Sequence, residues 1–234
     1  MKHVAFLMLA IPILFSCGAS ADKRLVAKIN SLYSVKAGRA YGASKNFSQP
    51  MPYAVGQYVV TGTTDDDGDR TISSIAITGK QGRAWIFEFY TLTGSSESAM
   101  QICMSGMETA ARTGNMDAVE IIWMKTRDGN GEIQKIEGPM LTMMKAAYKK
   151  TIVSLQVNVS GIQNGGPIKV PAGVFNATKM IKGEASFLGK TYRSTSWYHT
   201  SVPVNGMVKS TTDDGDMVTE LLDFGFKVKE SRFK

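Results

Sequence analysis

Hydrophobic side chains along this chain fall into three rhythms: an unbroken run from Val4 to Phe15, a stretch spaced three and four apart, and then a period of two. In the second stretch Leu25, Val26, Ile29, Leu32 and Tyr33 share one helical face, with Lys23, Arg24, Lys28 and Lys36 elsewhere. Asp22 is placed to cap this amphipathic helix and Gly38 to stop it. Arg39 to Pro52, with Gly42, Pro50 and Pro52, reads as a loop.

From Tyr53 onward the alternation predicts strands. Tyr53 to Thr63 and Arg70 to Thr78 form a hairpin around Asp65-Asp66-Asp67-Gly68-Asp69, and Gln81-Gly82 turns into a third strand, Arg83 to Leu92. In that strand Trp85, Phe87 and Phe89 lie on one face, so they line either a core or a cavity. Gly94-Ser95-Ser96 leads to a strand through Cys103, and Gly106 to Asn115 is an irregular or partly helical connection. Val119 to Lys125 and Glu132 to Ile136 flank another tight turn. Gly138-Pro139 opens a second helix, about 139–151, with Met140, Met144, Ala147, Tyr148 and Thr151 on one side. Four strands close the chain, near 173–182, 190–199, 205–211 and 216–224. The result is a mainly β (α+β) chain of about ten antiparallel strands with two covering helices.

The first run changes where this domain is expected to work. Lys2-His3, twelve apolar-rich positions and the exit Leu14-Phe15-Ser16-Cys17 read as a secretory signal, too short for a stable membrane span. Cysteine after Leu-x-Ser resembles the bacterial lipobox, in which that sulfur takes a diacylglycerol. On this reading residues 1–16 are a lipoprotein-type signal peptide. Residues 17–52 then hold the acylated Cys17, the amphipathic helix and the loop, 53–226 the β domain, and 227–234 a basic tail. Gly18 after the cysteine points to an outer-membrane protein facing the periplasm. The alternative exit is Ala19-Ser20-Ala21, a signal-peptidase site that would release a soluble protein.

Charge and cysteine count add two limits. The chain carries 27 Lys+Arg against 20 Asp+Glu, net +7. In an exported protein that surplus faces anionic envelope surfaces, and nucleic acid is not an expected partner. No run of basic residues makes a patch, so a uniformly solvated surface accounts for it equally. After loss of the signal, Cys103 has no possible partner except Cys17, whose sulfur is acylated or removed, so the fold stands without a disulfide. The mature length of about 210 residues suits one domain with a core of its own.

Longer motifs carry a resemblance. Val170-Pro171-Ala172-Gly173-Val174-Phe175, then Ser196-Trp197-Tyr198-His199, then Val202-Pro203-Val204-Asn205-Gly206-Met207-Val208-Lys209, then Glu220-Leu221-Leu222-Asp223-Phe224-Gly225 follow one another in this order. Together with Val55-Gly56-Gln57-Tyr58 and Trp85-Ile86-Phe87-Glu88 they resemble a poorly characterised group of bacterial envelope lipoproteins, with Phe224 where that group has tyrosine. The group is similar in architecture to the periplasmic lipoprotein carrier and its outer-membrane receptor. That similarity implies a curved antiparallel sheet or half-open β-barrel around an apolar concavity. Trp85, Phe87, Phe89, Met140, Met144 and Tyr148 are then the expected cavity or core lining.

Catalytic signals are sparse. There is no nucleophile elbow, phosphate loop or paired-histidine metal site, and His199 is the only histidine beyond the signal. Ser20-Ala21-Asp22-Lys23 has a Ser-x-x-Lys spacing but lies in the linker. Thr126 to Glu137 imitates a calcium loop without its first carboxylate, and Asp128-Gly129 serves equally as a hairpin turn. The Asp65–Asp69 and Asp213–Asp216 runs read as solvated turns. No cofactor, metal or catalytic residue is expected. The functional expectation is noncatalytic binding of a hydrophobic or lipidic ligand by an anchored envelope protein. The alternatives are an assembly lipoprotein that docks another envelope protein and, further off, a secreted hydrolase.

Overall fold

A computed structural model of the chain describes residues 21–34, 39–42, 52–113, 116–154, 156–159, 161–187, 190–228 and 230–234. Helix α1 (Lys23–Leu32) and a short strand β1 (Ala40–Tyr41) come first. The meander follows: β2 (Tyr58–Asp65), β3 (Arg70–Gln81), β4 (Ala84–Leu92) and β5 (Glu97–Ser105). Helix α2 (Met107–Thr113) and a 3-10 turn (Met116–Ala118) lead to β6 (Glu120–Arg127) and β7 (Ile133–Ile136). Helix α3 (Gly138–Ser154) precedes β8 (Gln156–Val159), β9 (Gln163–Val170), β10 (Gly173–Phe187), β11 (Lys190–Tyr198), β12 (Met207–Thr212) and β13 (Met217–Gly225).

All these strands join one 13-stranded sheet in the order β1-β10-β11-β12-β13-β2-β3-β4-β5-β6-β7, with β8 and β9 also paired to β10. The pairings are antiparallel except that β1 runs parallel to β10. The path has two ends, at β1 and β7, so among the described residues the sheet does not close. The expected mainly β, antiparallel and half-open architecture is the one observed. Its third helix, α2, falls within the stretch expected to be an irregular or partly helical connection.

Two buried clusters lie on opposite faces of the sheet, as the alternation in β4 makes plain. Trp85 and Phe87 enter the larger one with Val59, Ile77, Ile102, Met124, Phe175, Val208 and Leu221. Tyr90 and Leu92 enter the smaller one with Ile29, Ile72, Ala99 and Leu222. Because the larger cluster draws residues from both halves of the strand order, the sheet curves until those halves share one core. A backbone bond from Ala172 N–H to the Leu221 carbonyl, 3.0 Å, ties the β9–β10 corner to β13.

Strands β1, β8 and β9 lie outside the sequence expectation, and β9 shows why. Gly165, Gly166 and Pro167 look like breakers, yet they sit within a strand pairing with β10. A Cβ at Gly165 would lie 2.6 Å from both Thr178 Oγ1 and Trp197 Cδ1, so the strand approaches its neighbours only where the side chain is missing. Local propensity is overridden by packing there. In the loop before β12, Val204 takes a left-handed φ of 66° while 3% exposed. Placing its side chain in the larger cluster offsets a conformation that β-branched residues disfavour.

Phe87 is fully buried, whereas Met140 is 57% exposed. Phe87→Ala is therefore expected to lower unfolding free energy by about 3–5 kcal/mol, and Met140→Ala by less than about 0.5 kcal/mol. Equilibrium urea denaturation of the two variants checks both.

Candidate functional site

Strand β4 is central to the site because its neighbours β3 and β5 pair along nearly its whole length. On the larger-cluster face, Tyr53 stands edge-on to Trp85 at 6.1 Å and to Phe87 at 5.5 Å, and Phe87 stacks on Phe89 at 6.3 Å. Trp85 Nε1 donates to Glu108 of α2 at 3.2 Å, and the Lys80 ammonium sits 4.4 Å above the same indole. Trp85 is thus held at both its polar and its π surfaces. Phe89 packs against this cluster while remaining partly exposed.

Helix α3 meets the cluster through Leu141 and Met144, which are half-buried. Met140 and Met143 are exposed, at 57% and 62%. The covering face therefore runs through 141 and 144, rotated from the expected face through 140 and 144. Tyr148 lies in the helix, but its side chain is outside the described residues, as is Cys17. Of the six expected lining residues, the structure brings together Trp85, Phe87, Phe89 and Met144 and leaves Met140 at the surface.

Water is excluded from the middle of the larger cluster. Ile77, Phe87, Ile102, Met124, Phe175 and Val208 are each at 0% exposure. Gln57, 2% exposed, donates from Nε2 to the Pro52 carbonyl at 2.9 Å, while its Oε1 has no partner among the described residues. The sequence signal for it was only its period-two relation to Val59.

His199 is 1% exposed and engaged by backbone at both nitrogens. Ser201 N–H donates to Nδ1 at 3.1 Å, so Nε2 carries the proton and donates it to the Gly42 carbonyl at 2.6 Å. Its ring also meets Phe175 edge-on at 5.3 Å. A general base needs a free lone pair facing substrate, and this imidazole has spent both nitrogens on loop geometry.

The acidic runs are turns. Asp65 accepts from Asp69 N–H at 2.8 Å, and Asp214 from Asp216 N–H at 3.2 Å. In the calcium-like segment Asp128 accepts from the amides of Asn130 and Glu132 at 3.0 and 2.9 Å, closing the β6–β7 hairpin. Among the described residues no group of three or more acidic, histidine or cysteine side chains is placed to hold a metal ion. Strands β2 and β13 pair Asp65 with Met217, which brings the two aspartate turns to one rim. There the charge of Asp214 pushes the Asp216 carboxyl above its ordinary range.

Helix α1 crosses the opposite face near that rim. Asp22 caps it by accepting from Arg24 N–H at 2.8 Å, and its own N–H donates to the Gly94 carbonyl at 2.8 Å. Lys28 bonds the Tyr90 hydroxyl at 3.1 Å and Glu97 at 2.8 Å, and Arg70 lies 4.3 Å over Tyr33. Burial works against charge on Glu97, but the Lys28 hydrogen bond and charge outweigh it and hold the carboxyl below its ordinary value. A small polar cleft beside it is lined by Tyr90, Glu97, Ser98, Arg127, Asp128 and Arg232. Among the described residues no helix is long and apolar enough to cross a membrane, a statement that does not bear on strands.

Burial pushes the Tyr53 and Tyr198 phenols up to about 12, from an ordinary 10.0. The folded state keeps these protons where the unfolded chain loses them, so stability is full below pH 10 and falls as pH rises from there toward 12. Alkaline titration followed by ultraviolet absorbance is expected to show two phenols that ionise only as the fold is lost.

No family model and no curated protein matches the chain. Among solved structures, it is similar to a Bacteroides fragilis protein of YmcC-like fold inferred to be exported, at TM-score 0.36 and 9% identity over 76% of this chain and 99% of that one. A Parabacteroides distasonis protein inferred to be a lipoprotein matches at TM-score 0.32 and 11% identity, over 79% of this chain and 100% of that one. Likenesses this loose carry no argument about this chain, whose reading rests on its own residues.

Proposed function

We propose that this protein is exported, anchored in the outer membrane through an acylated Cys17, and acts without catalysis as a docking module for another envelope protein. The anchor rests on Leu14-Phe15-Ser16-Cys17 following the apolar run, and the acyl chains on that cysteine, at about 0.8 kcal/mol per buried methylene, would hold the domain without further contacts. The carrying observation for docking is a strand edge, flanked by exposed apolar side chains, that has no neighbouring strand among the described residues. Strand β7 ends the strand order, and around it β6, β7 and α3 expose Ile122, Ile133, Met140 and Met143 at 40–62%. An edge strand with apolar neighbours suits an added strand or helix from a partner.

The ligand-binding reading is kept by one observation. Leu141 and Met144 cover the aromatic cluster only in part, so outward movement of α3 would admit an apolar chain beside Phe89. Against catalysis stands the engagement of His199.

Three measurements separate these readings. Cys17→Ala is expected to abolish acyl labelling, and retained labelling removes the anchor. A photocrosslinking residue at Ile133 is expected to trap one partner in cells, and Gln134→Pro, which blocks strand addition, to cut that adduct about tenfold or more. Native mass spectrometry of protein from its own membranes is expected to show no retained lipid. A bound lipid that Met144→Trp displaces would transfer the role to ligand handling.

A further inference from the structure

The sheet face opposite Trp85 and Phe87 carries a buried carboxylate, and one short segment satisfies it. Glu88 is 1% exposed. Ser231 Oγ donates to it at 2.6 Å, Arg232 N–H at 3.1 Å and the Arg232 guanidinium at 3.3 Å. The same guanidinium lies 3.8 Å over the Tyr90 ring, and Phe233 packs into the smaller cluster. Upstream, Val228 N–H bonds the Gly56 carbonyl at 2.9 Å. A Cβ at Gly56, where φ is +97°, would fall 2.5 Å from the Phe226 carbonyl oxygen, so only glycine admits the strap.

Helix α1 depends on this cluster. It has ten residues and one fully buried side chain, Ile29, and a helix that short does not persist alone in water. Leu25 and Tyr33 pack beside Ile29, and Lys28 reaches the Tyr90 hydroxyl. Tyr90 is therefore held by α1 at its hydroxyl and by Arg232 at its ring, so helix and strap complete one another's seat.

We propose that Ser231–Phe233, clamped on Glu88, is a latch that keeps α1 on the sheet and so sets how far the domain stands from its membrane. The second half rests on the Cys17 anchor proposed above. With α1 seated, Asp22 is tied to Gly94, and the five residue steps from Cys17 give a tether of roughly 17 Å at full extension. With α1 melted, the sixteen steps to Tyr33 extend to roughly 55 Å. Withdrawing the strap takes the Ser231 hydroxyl, the Arg232 amide and the Arg232 guanidinium from Glu88 together, so its three hydrogen bonds from the strap are lost in one step.

The test uses the acylated mature chain in phosphatidylcholine vesicles containing a dansyl-headgroup lipid, intact and truncated after Glu230. Truncation is expected to speed amide hydrogen exchange in Lys23–Leu32 by about tenfold or more while β10 and β11 stay protected. It is also expected to reduce energy transfer from the tryptophans to the dansyl lipid. Unchanged exchange in α1 overturns the latch. Faster exchange with unchanged transfer overturns the control of reach. Should Cys17 prove unacylated, the anchor fails on its own evidence, and the exchange measurement in solution still decides the latch. Should the truncated chain not fold, Glu88→Met removes the carboxylate, and α1 exchange is compared between Glu88→Met with and without the truncation; equal rates overturn the latch.

Discussion

Strand β4 has no face turned to solvent along its middle, and most of the structure follows from that. Trp85 and Phe87 need a cover on one side, and Glu88, Tyr90 and Leu92 need one on the other. The curved second half of the sheet, with α2 and α3, supplies the first. Helix α1 and the strap supply the second. A carboxylate in the middle of such a strand is tolerable only with full hydrogen bonding, because an isolated buried charge costs more than any single packing contact returns. Glu88 therefore makes the strap part of the fold.

This two-sided burial gives the middle of the concave face to packing, with Phe89, Leu141 and Met144 only partly covered at its margin. Among the described residues the strand order ends at β1 and at β7, and near β7 Met140 and Met143 of α3 face outward. His199 holds the loop between β11 and β12 against the Gly42 carbonyl. The aspartate turns are likewise occupied by their own backbone amides. Polar groups that look chemically available in a linear reading are structural wherever a nearby N–H or C=O claims them first.

Legibility followed the range of the interactions. The Asp22 cap, the hairpins at Asp65–Asp69, Gln81-Gly82 and Asp128–Gly131, and the face shared by Trp85, Phe87 and Phe89 all depend on neighbours within a few residues. Each was visible as a period or a turn signature. The parallel β1–β10 pair and the glycine- and proline-bearing β9 were not, because their stability comes from partners more than a hundred residues away for β1, or from a close approach that only tertiary packing rewards. Of the expected α3 face, Met144 meets the cluster and Met140 does not, because Met140, Leu141 and Met144 are all apolar and only contact with the cluster selects among them.

By itself the sequence determined a β-rich domain of one sheet, its hairpins and its capped first helix. Those features are written in local patterning, where hydrophobic period and turn chemistry act within short reach. Only the tertiary structure decided that Glu88 is buried, that Ser231 and Arg232 answer it across more than a hundred and forty residues, and that His199 faces backbone on both sides. A carboxylate or an imidazole reads identically in one dimension whether water, a ligand or the chain itself is its partner. The fold chooses the partner by excluding water, and that choice separates a structural group from a functional one.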